Sequence, residues 1–245
     1  MSESVVFGRT VLDEALRAGG RVNRLVVAFE RREPWVEDLI ALARERKVRV
    51  DFAPQAELNR LAHSRDHGGA VALISPVEHI DLADCLADCP QTATLLALDG
   101  IQNPRNLGMV LRTALGAGVH GVLLPTRGGR LLSEEVVRAS AGAAARVPVV
   151  YCSNTAQALR EAKDADFWVY GLDTHAGDSF FDGAWPRRVL LVAGAEATGL
   201  RPVVRKHCDA LVRIPLAGGL DSLNLAVAAA VALFHIAAQR GAGGG

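Results

Sequence analysis

The sequence is short of cysteine, of aromatic side chains and of net charge, and each shortage excludes something. Four cysteines in 245 residues (Cys85, Cys89, Cys152 and Cys208) are too few and too scattered for a disulfide framework. They point to a reducing compartment, the cytoplasm, and to a core that needs no covalent staples. Aromatic residues make up 5% of the chain. Lys and Arg total 27 and so do Asp and Glu, which excludes an overall basic coat but leaves room for a local basic patch. The N-terminal stretch carries acids and no continuous apolar run, so it is not a signal peptide. One uncharged segment, Ser222 to Gln239, reaches the lower edge of membrane-span length. Its Ser222, Asn224, His235 and seven alanines suit a buried helix instead, packed on its own sheet on one side and on a second subunit on the other. No membrane partner is expected.

Several familiar signatures are also missing. Cys85 and Cys89 form a CxxxC pair with no second pair at ligand spacing. His63 and His67 are four apart, but Gly68-Gly69 follows and no glutamate stands in the HExxH position, so a polar loop or frayed helix end is expected. No metal site follows from either. Gly116-Ala-Gly118-Val-His-Gly121 matches G-x-G-x-x-G, yet a helix precedes it and a strand follows. That order is the reverse of a dinucleotide fingerprint and reads as a helix stop. A phosphate-cradling G-x-x-x-x-G-K-[ST] is absent.

What is present is ample apolar material, half of all residues, arranged as alternating helix and strand. Residues 10–18, 35–47 and 54–62 read as helices; residues 24–29, 48–52 and 70–74 read as strands. These make a small α/β unit over residues 1–75. Residues 76–93 are acidic and proline-flanked and are expected to be a linker with one short helix. From residue 94 to 241 strands at 94–99, 121–124, 147–151, 167–172, 189–193 and 210–214 alternate with helices at 106–117 and 133–145 and end in the alanine helix. This pattern predicts an α/β fold with a parallel sheet covered on both faces, and residues 242–245 are expected to be a flexible tail.

Open parallel sheets bind ligands at the carboxyl ends of their strands. Three such ends carry dense polar and glycine clusters. The first, Asp99 to Ala114, places Asn106 where an N-cap belongs and sets Arg112 in an otherwise apolar helix. The second, Gly194-Ala-Glu196-Ala-Thr-Gly199-Leu, offers a backbone that can be approached closely and a carboxylate beside it. The third, Ile214 to Asn224, supplies Asp221 or Ser222 as a cap for the last helix.

The three clusters together resemble the SpoU/TrmH (SPOUT) family of RNA ribose 2′-O-methyltransferases. NLGMVLRTA (Asn106 to Ala114) is similar to that family's N-x-G-x-x-x-R-[TN]-A. GAEATGL (Gly194 to Leu200) is similar to G-x-E-x-x-G-[LM]. IPLAGGLDSLNLAVA (Ile214 to Ala228) is similar to I-P-[ML]-x-G-x-x-x-S-L-N-[VL]-[SA]-V-A. FGRTVLDEAL and HGGAVALIS resemble the family's small L30e-like RNA-binding domain, and the whole layout resembles the 23S ribosomal RNA guanosine-2′-O-methyltransferase branch.

The resemblance implies a trefoil-knotted C-terminal domain, S-adenosyl-L-methionine as cofactor, and a homodimer. It implies a catalytic set of Asn106, Arg112, Glu196, Ser222 and Asn224, and cofactor contacts from Leu172, Thr174, Gly194, Ile214 and Leu223. In this reading Glu196 fixes Arg112 or Asn106, and Arg112 orients the ribose hydroxyl and its phosphate. Ribosomal RNA is the expected partner. Candidate contacts are Arg9 and Arg65 in the small unit, and Arg105, Arg127, Arg130 and Arg138 near the site. Transfer RNA as substrate, or a non-catalytic RNA-binding protein that kept the fold, are the alternatives.

Overall fold

A computed structural model describes residues 4–18, 22–30, 33–74, 79–126, 134–196 and 198–241. The first elements are β1 (Ser4–Phe7), α1 (Arg9–Ala18), β2 (Val22–Ala28), α2 (Trp35–Glu45), β3 (Arg49–Ala53), α3 (Gln55–Ala62) and β4 (Ala70–Ile74). Next come β5 (His79–Ile80), α4 (Leu82–Asp88), β6 (Ala93–Asp99), α5 (Pro104–Gly116), β7 (Gly121–Pro125), α6 (Glu134–Ala139) and β8 (Val149–Cys152). The chain closes with α7 (Thr155–Asp164), β9 (Trp168–Leu172), β10 (Asp178–Ser179), β11 (Arg188–Gly194), α8 (Pro202–Arg205), β12 (Ala210–Arg213) and α9 (Leu225–Gln239). Contacts divide it into two compact units: Met1–Val77 with Leu132–Arg146, and Glu78–Leu131 with Val147–Gly245.

In the first unit four strands run in the order β1-β4-β2-β3, with β2 and β3 parallel and the other pairs antiparallel. Val26, Ala28, Val71 and Leu73 meet Leu58 of α3 on one face. His67 is fully buried beneath the loop before β4. Its Nδ1 accepts from the Gly69 amide (3.1 Å), so the proton sits on Nε2, 2.9 Å from Asn59 Oδ1. It is a structural histidine, not a frayed end, and burial lowers its pKa. His63 caps α3 in the left-handed conformation. The segment around α6 was expected in the second section. It packs instead in the first unit, α6 against β1 and the turn after α6 against α1. After α6 the chain turns at Gly142 (φ +86°), where a Cβ would sit 3.2 Å from Glu14 Cβ.

The second unit is an eight-stranded, wholly parallel sheet in the order β10-β12-β9-β11-β6-β7-β8-β5. β6 lies near its middle and all seven of its residues are buried, as the unbroken run ATLLALD requires of a strand covered on both faces. The strand order reverses beside β6: β7 and β8 extend to one side, β11, β9 and β12 to the other. Residues expected as a linker belong to this unit, with β5 as the edge strand and α4 packed on β8. The two residues of β5 are too short for any period to register. All four cysteines are free thiols. No helix among the described residues is long and apolar enough to cross a membrane.

Candidate active site

The carboxyl ends of β6, β9, β11 and β12 converge on one side of the second unit. A cavity of about 670 Å³ opens there, walled by Leu172–His175, Gly194–Glu196, Thr198–Leu200, Ile214, Leu216 and Leu220–Leu223, with Arg205 at its side. All five expected cofactor contacts, Leu172, Thr174, Gly194, Ile214 and Leu223, line it, as do Glu196 and Ser222.

Glu196 is the hub. Its Oε1 accepts from Asn106 Nδ2 (2.6 Å), from Asn224 Nδ2 (2.6 Å) and from the Leu225 amide (3.2 Å). Asn224 Nδ2 also lies 3.4 Å from Asn106 Oδ1. Three segments separated by 90 and 28 residues thus meet on one carboxylate oxygen. Bonds from neutral amides to an ionised acceptor are among the stronger side-chain bonds, so Glu196 sets the orientation of both asparagines.

The local sequence explains how those side chains come free. The cap of α5 is Asn103, not Asn106: its Oδ1 accepts from the Arg105 amide at 2.9 Å, and Pro104 takes the first helical position. Asn106 therefore sits in the first turn with its amide available to Glu196. Likewise Asn224, not Asp221 or Ser222, caps α9, accepting from Ala226 (2.9 Å) and Val227 (3.4 Å). Asn224 Oδ1 thus serves the helix while its Nδ2 serves the carboxylate. Ser222 and Asp221 remain exposed in the loop at the cavity's rim.

Gly194 is needed for a reason nearer than a ligand. A Cβ there would run into the backbone of Gly199 and Leu200, because Ala195 and Gly199 pair with each other (Gly199 amide to Ala195 carbonyl, 2.7 Å). The 194–200 loop thus closes on itself and presents Glu196 outward.

Arg112 does not join this network. It is exposed on α5, away from the cavity lining, and Glu196 holds Asn106 and Asn224 rather than Arg112. Of the expected RNA contacts, Arg105 is exposed on α5, and Arg9 and Arg65 are exposed in the first unit. Arg138 belongs to the first unit, where α6 packs on β1. Arg127 and Arg130 lie outside the described residues.

Sequence reading missed the group that holds the site's frame. Asp99, with a fully buried carboxylate at the end of β6, accepts from Arg201 Nε (2.8 Å) and from the Arg201 amide (3.0 Å). The same guanidinium reaches Thr155 Oγ1 (3.2 Å). The Asp99 carboxylate raises the pKa of Arg201. This pair anchors the chain directly after the 194–200 loop. A lone acid ending the run TLLALD was the visible signal. Arg205 and Asp173 pair at 3.0 Å on the cavity wall.

This arrangement, polar loops gathered at the switch point of a parallel sheet, defines a ligand-binding α/β protein. The SpoU rRNA Methylase family matches residues 93–234, and the RNA 2′-O ribose methyltransferase substrate-binding family matches residues 5–80. The chain belongs to the SpoU family. It is 33% identical to a TrmH family tRNA/rRNA methyltransferase of Staphylococcus haemolyticus over 98% of this chain and 97% of that one. A tRNA/rRNA methyltransferase of Mycolicibacterium vanbaalenii is 38% identical over 96% and 76%. The AdoMet-bound rRNA methyltransferase of Sinorhizobium meliloti superposes with a TM-score of 0.78 at 27% identity, covering 96% and 87%. The fold of AviRb from Streptomyces viridochromogenes agrees at a TM-score of 0.81, covering 99% and 91% at 24% identity.

Proposed function

We propose that this protein transfers a methyl group from S-adenosyl-L-methionine to a ribose 2′-hydroxyl of ribosomal RNA, a guanosine of 23S RNA being the finer reading. The observation that carries it is the meeting of Asn106, Asn224 and the start of α9 on Glu196 Oε1 at the mouth of the cavity.

The residues present fit the cofactor. A 670 Å³ space lies within the usual range for one small molecule. Leu172, Ile214, Leu216 and Leu220 give it apolar walls, and Thr174 and the loop backbone give polar groups. Its lining carries three carboxylates, Asp173, Glu196 and Asp221, against one guanidinium, Arg205, which Asp173 already pairs. That balance favours a cationic ligand. When bound, S-adenosyl-L-methionine supplies an electrophilic methyl group on a sulfonium. The chain must bring a hydroxyl into line and hold its proton. Asn106, locked by Glu196, and Ser222 at the rim position the ribose. Asn224 holds the loop to α9. Arg112, exposed on the helix that bears Asn106, contacts the RNA phosphate and hydroxyl and stabilises the developing alkoxide. An arginine is too weak an acid to serve as a free base, so orientation and charge are its contribution.

The expected homodimer finds support in Met109 of α5 and Val227 and Phe234 of α9, which are 43 to 51% exposed on two helices that pack together. The trefoil knot of the second unit is proposed on the family match over residues 93–234. Arg105 on α5 is the RNA contact nearest Asn106 in the chain.

The test is to incubate the full chain with methyl-labelled cofactor and total bacterial RNA, digest to nucleosides and locate the label. A 2′-O-methylguanosine mapped to 23S RNA is expected. Label on a base, or no transfer, overturns the reading; label confined to transfer RNA overturns the substrate.

A further inference from the structure

The first unit holds a second, smaller hollow of about 210 Å³, lined by Val5–Phe7, Ala62–Ser64 and Arg138. Phe7 ends β1, half-buried, and packs with Leu61 and Ala62 against the core. The Arg138 guanidinium lies over its ring, 5.8 Å from the centroid, and is exposed. His63, exposed, is turned into the left-handed conformation (φ +46°) at the end of α3. Ser64 Oγ accepts from the Asp66 amide at 3.1 Å, which leaves its hydroxyl hydrogen for another partner.

These groups make an unusual set for a surface hollow: a flat apolar wall, a planar cation, an imidazole and a hydroxyl. The volume falls below the range for a whole cofactor or nucleotide. It suits one flat heterocycle. A ring stacked on an aromatic or guanidinium plane, with polar groups at its rim, is how proteins hold unpaired bases of RNA. The substrate-binding family match reaches Phe7, His63 and Ser64 but ends well before Arg138. Arg138 comes from the segment between β7 and β8, carried there by the packing of α6 on β1.

We infer that the hollow lined by Phe7, His63, Ser64 and Arg138 seats a single unpaired nucleobase of the RNA substrate, with His63 and Ser64 at the base's edge. This rests on the proposed action on RNA. The base packs against the stacked Phe7–Arg138 pair rather than between its members, and the unit thereby selects RNA with an unpaired nucleotide.

The test uses the full chain and RNA stem–loops carrying 2-aminopurine in the loop, read by fluorescence quenching and anisotropy over a salt series. The wild type is expected to quench the probe and to prefer the stem–loop over its fully paired duplex. Phe7→Leu, which keeps the apolar packing, should lose about tenfold in affinity and most of the quenching. Arg138→Lys, which keeps the charge but not the plane, should also lose affinity, with its salt slope unchanged. Wild-type quenching and affinity in Phe7→Leu overturn the inference, as does a wild type that never quenches. Arg138→Lys behaving like wild type, while Arg138→Ala lowers the salt slope by about one, overturns it in favour of a plain phosphate contact. Labelled methyl transfer is measured beside this. Binding lost in Phe7→Leu with no transfer by the wild type sinks the enzymatic reading alone. Transfer by the wild type with Phe7→Leu unaffected in binding sinks the pocket alone.

Discussion

The two ends of the large parallel sheet spend their polar side chains on different purposes. At the amino ends, Arg240 after α9 donates to Thr94 Oγ1 and to the Pro186 and Arg187 carbonyls, tying α9 to the approaches of β6 and β11. Arg188 is spent in the same way, on the Leu86 carbonyl (3.0 Å) and the face of Phe167. At the carboxyl ends, Asn106, Glu196 and Asn224 bond chiefly to one another, at the edge of a cavity. Groups that satisfy backbone carbonyls hold the sheet; groups that satisfy each other beside open space are poised for a ligand.

That contrast can be broken by substitution. The largest expected effect is on chemistry without stability. Arg112→Ala should lower methyl transfer about a hundredfold or more, with cofactor affinity from calorimetry and the thermal midpoint nearly unchanged. Wild-type turnover in that variant would refute its role. Asp99→Asn should blur the distinction, since the buried carboxylate holds Arg201 just after the 194–200 loop. A loss of about 2–3 kcal/mol in urea unfolding is expected, held below the full cost of a broken buried pair by the partial exposure of Arg201. Arg240→Met should cost about 1–2 kcal/mol of stability while transfer at low temperature stays near wild type. A larger effect on transfer than on stability would contradict the division of the two ends.

The smallest effect is a pH dependence shared by both units. Burial lowers the pKa of His67 and, with the Arg240 charge adding to it, that of His120, whose Nδ1 accepts from the Thr94 amide at 3.2 Å. Each folded value lies below the ordinary 6.5, so the unfolded chain binds the proton first as pH falls. Their contribution is present above about pH 6.5 and is lost as pH drops through the folded pKa. Thermal midpoints should therefore fall between pH 7.5 and 5.5, and Arg240→Met should soften the His120 share.

The core strands were legible because their apolar runs are long and punctuated: AVALI, TLLALD and VLLVA appear within a residue or two of where they form. β1, β5 and β10, of two to four residues, carry too little pattern to be seen. The caps were misplaced by two or three residues because several residues in each loop can cap. Pro104 decided for Asn103, and the pull of Glu196 on Nδ2 fits Asn224 to its double task. The residues that prove to line the cavity, Leu172, Thr174, Gly194, Ile214 and Leu223, were reached through the family resemblance rather than through any local pattern. What no local pattern could show was where α6 would pack, since its partner β1 lies far back in the chain.

That packing has a consequence for anyone who would divide the gene. The polypeptide passes between the compact units three times, near residues 77, 131 and 146. A fragment ending at Val77 would keep its four strands but leave the edge strand β1 without its helix, an invitation to sticky self-association. The complementary piece would carry α6 as a stranded helix with nothing to cover. The units can be swapped or excised only together with a stitch that lies some sixty residues downstream, and any chimera of this architecture must move both.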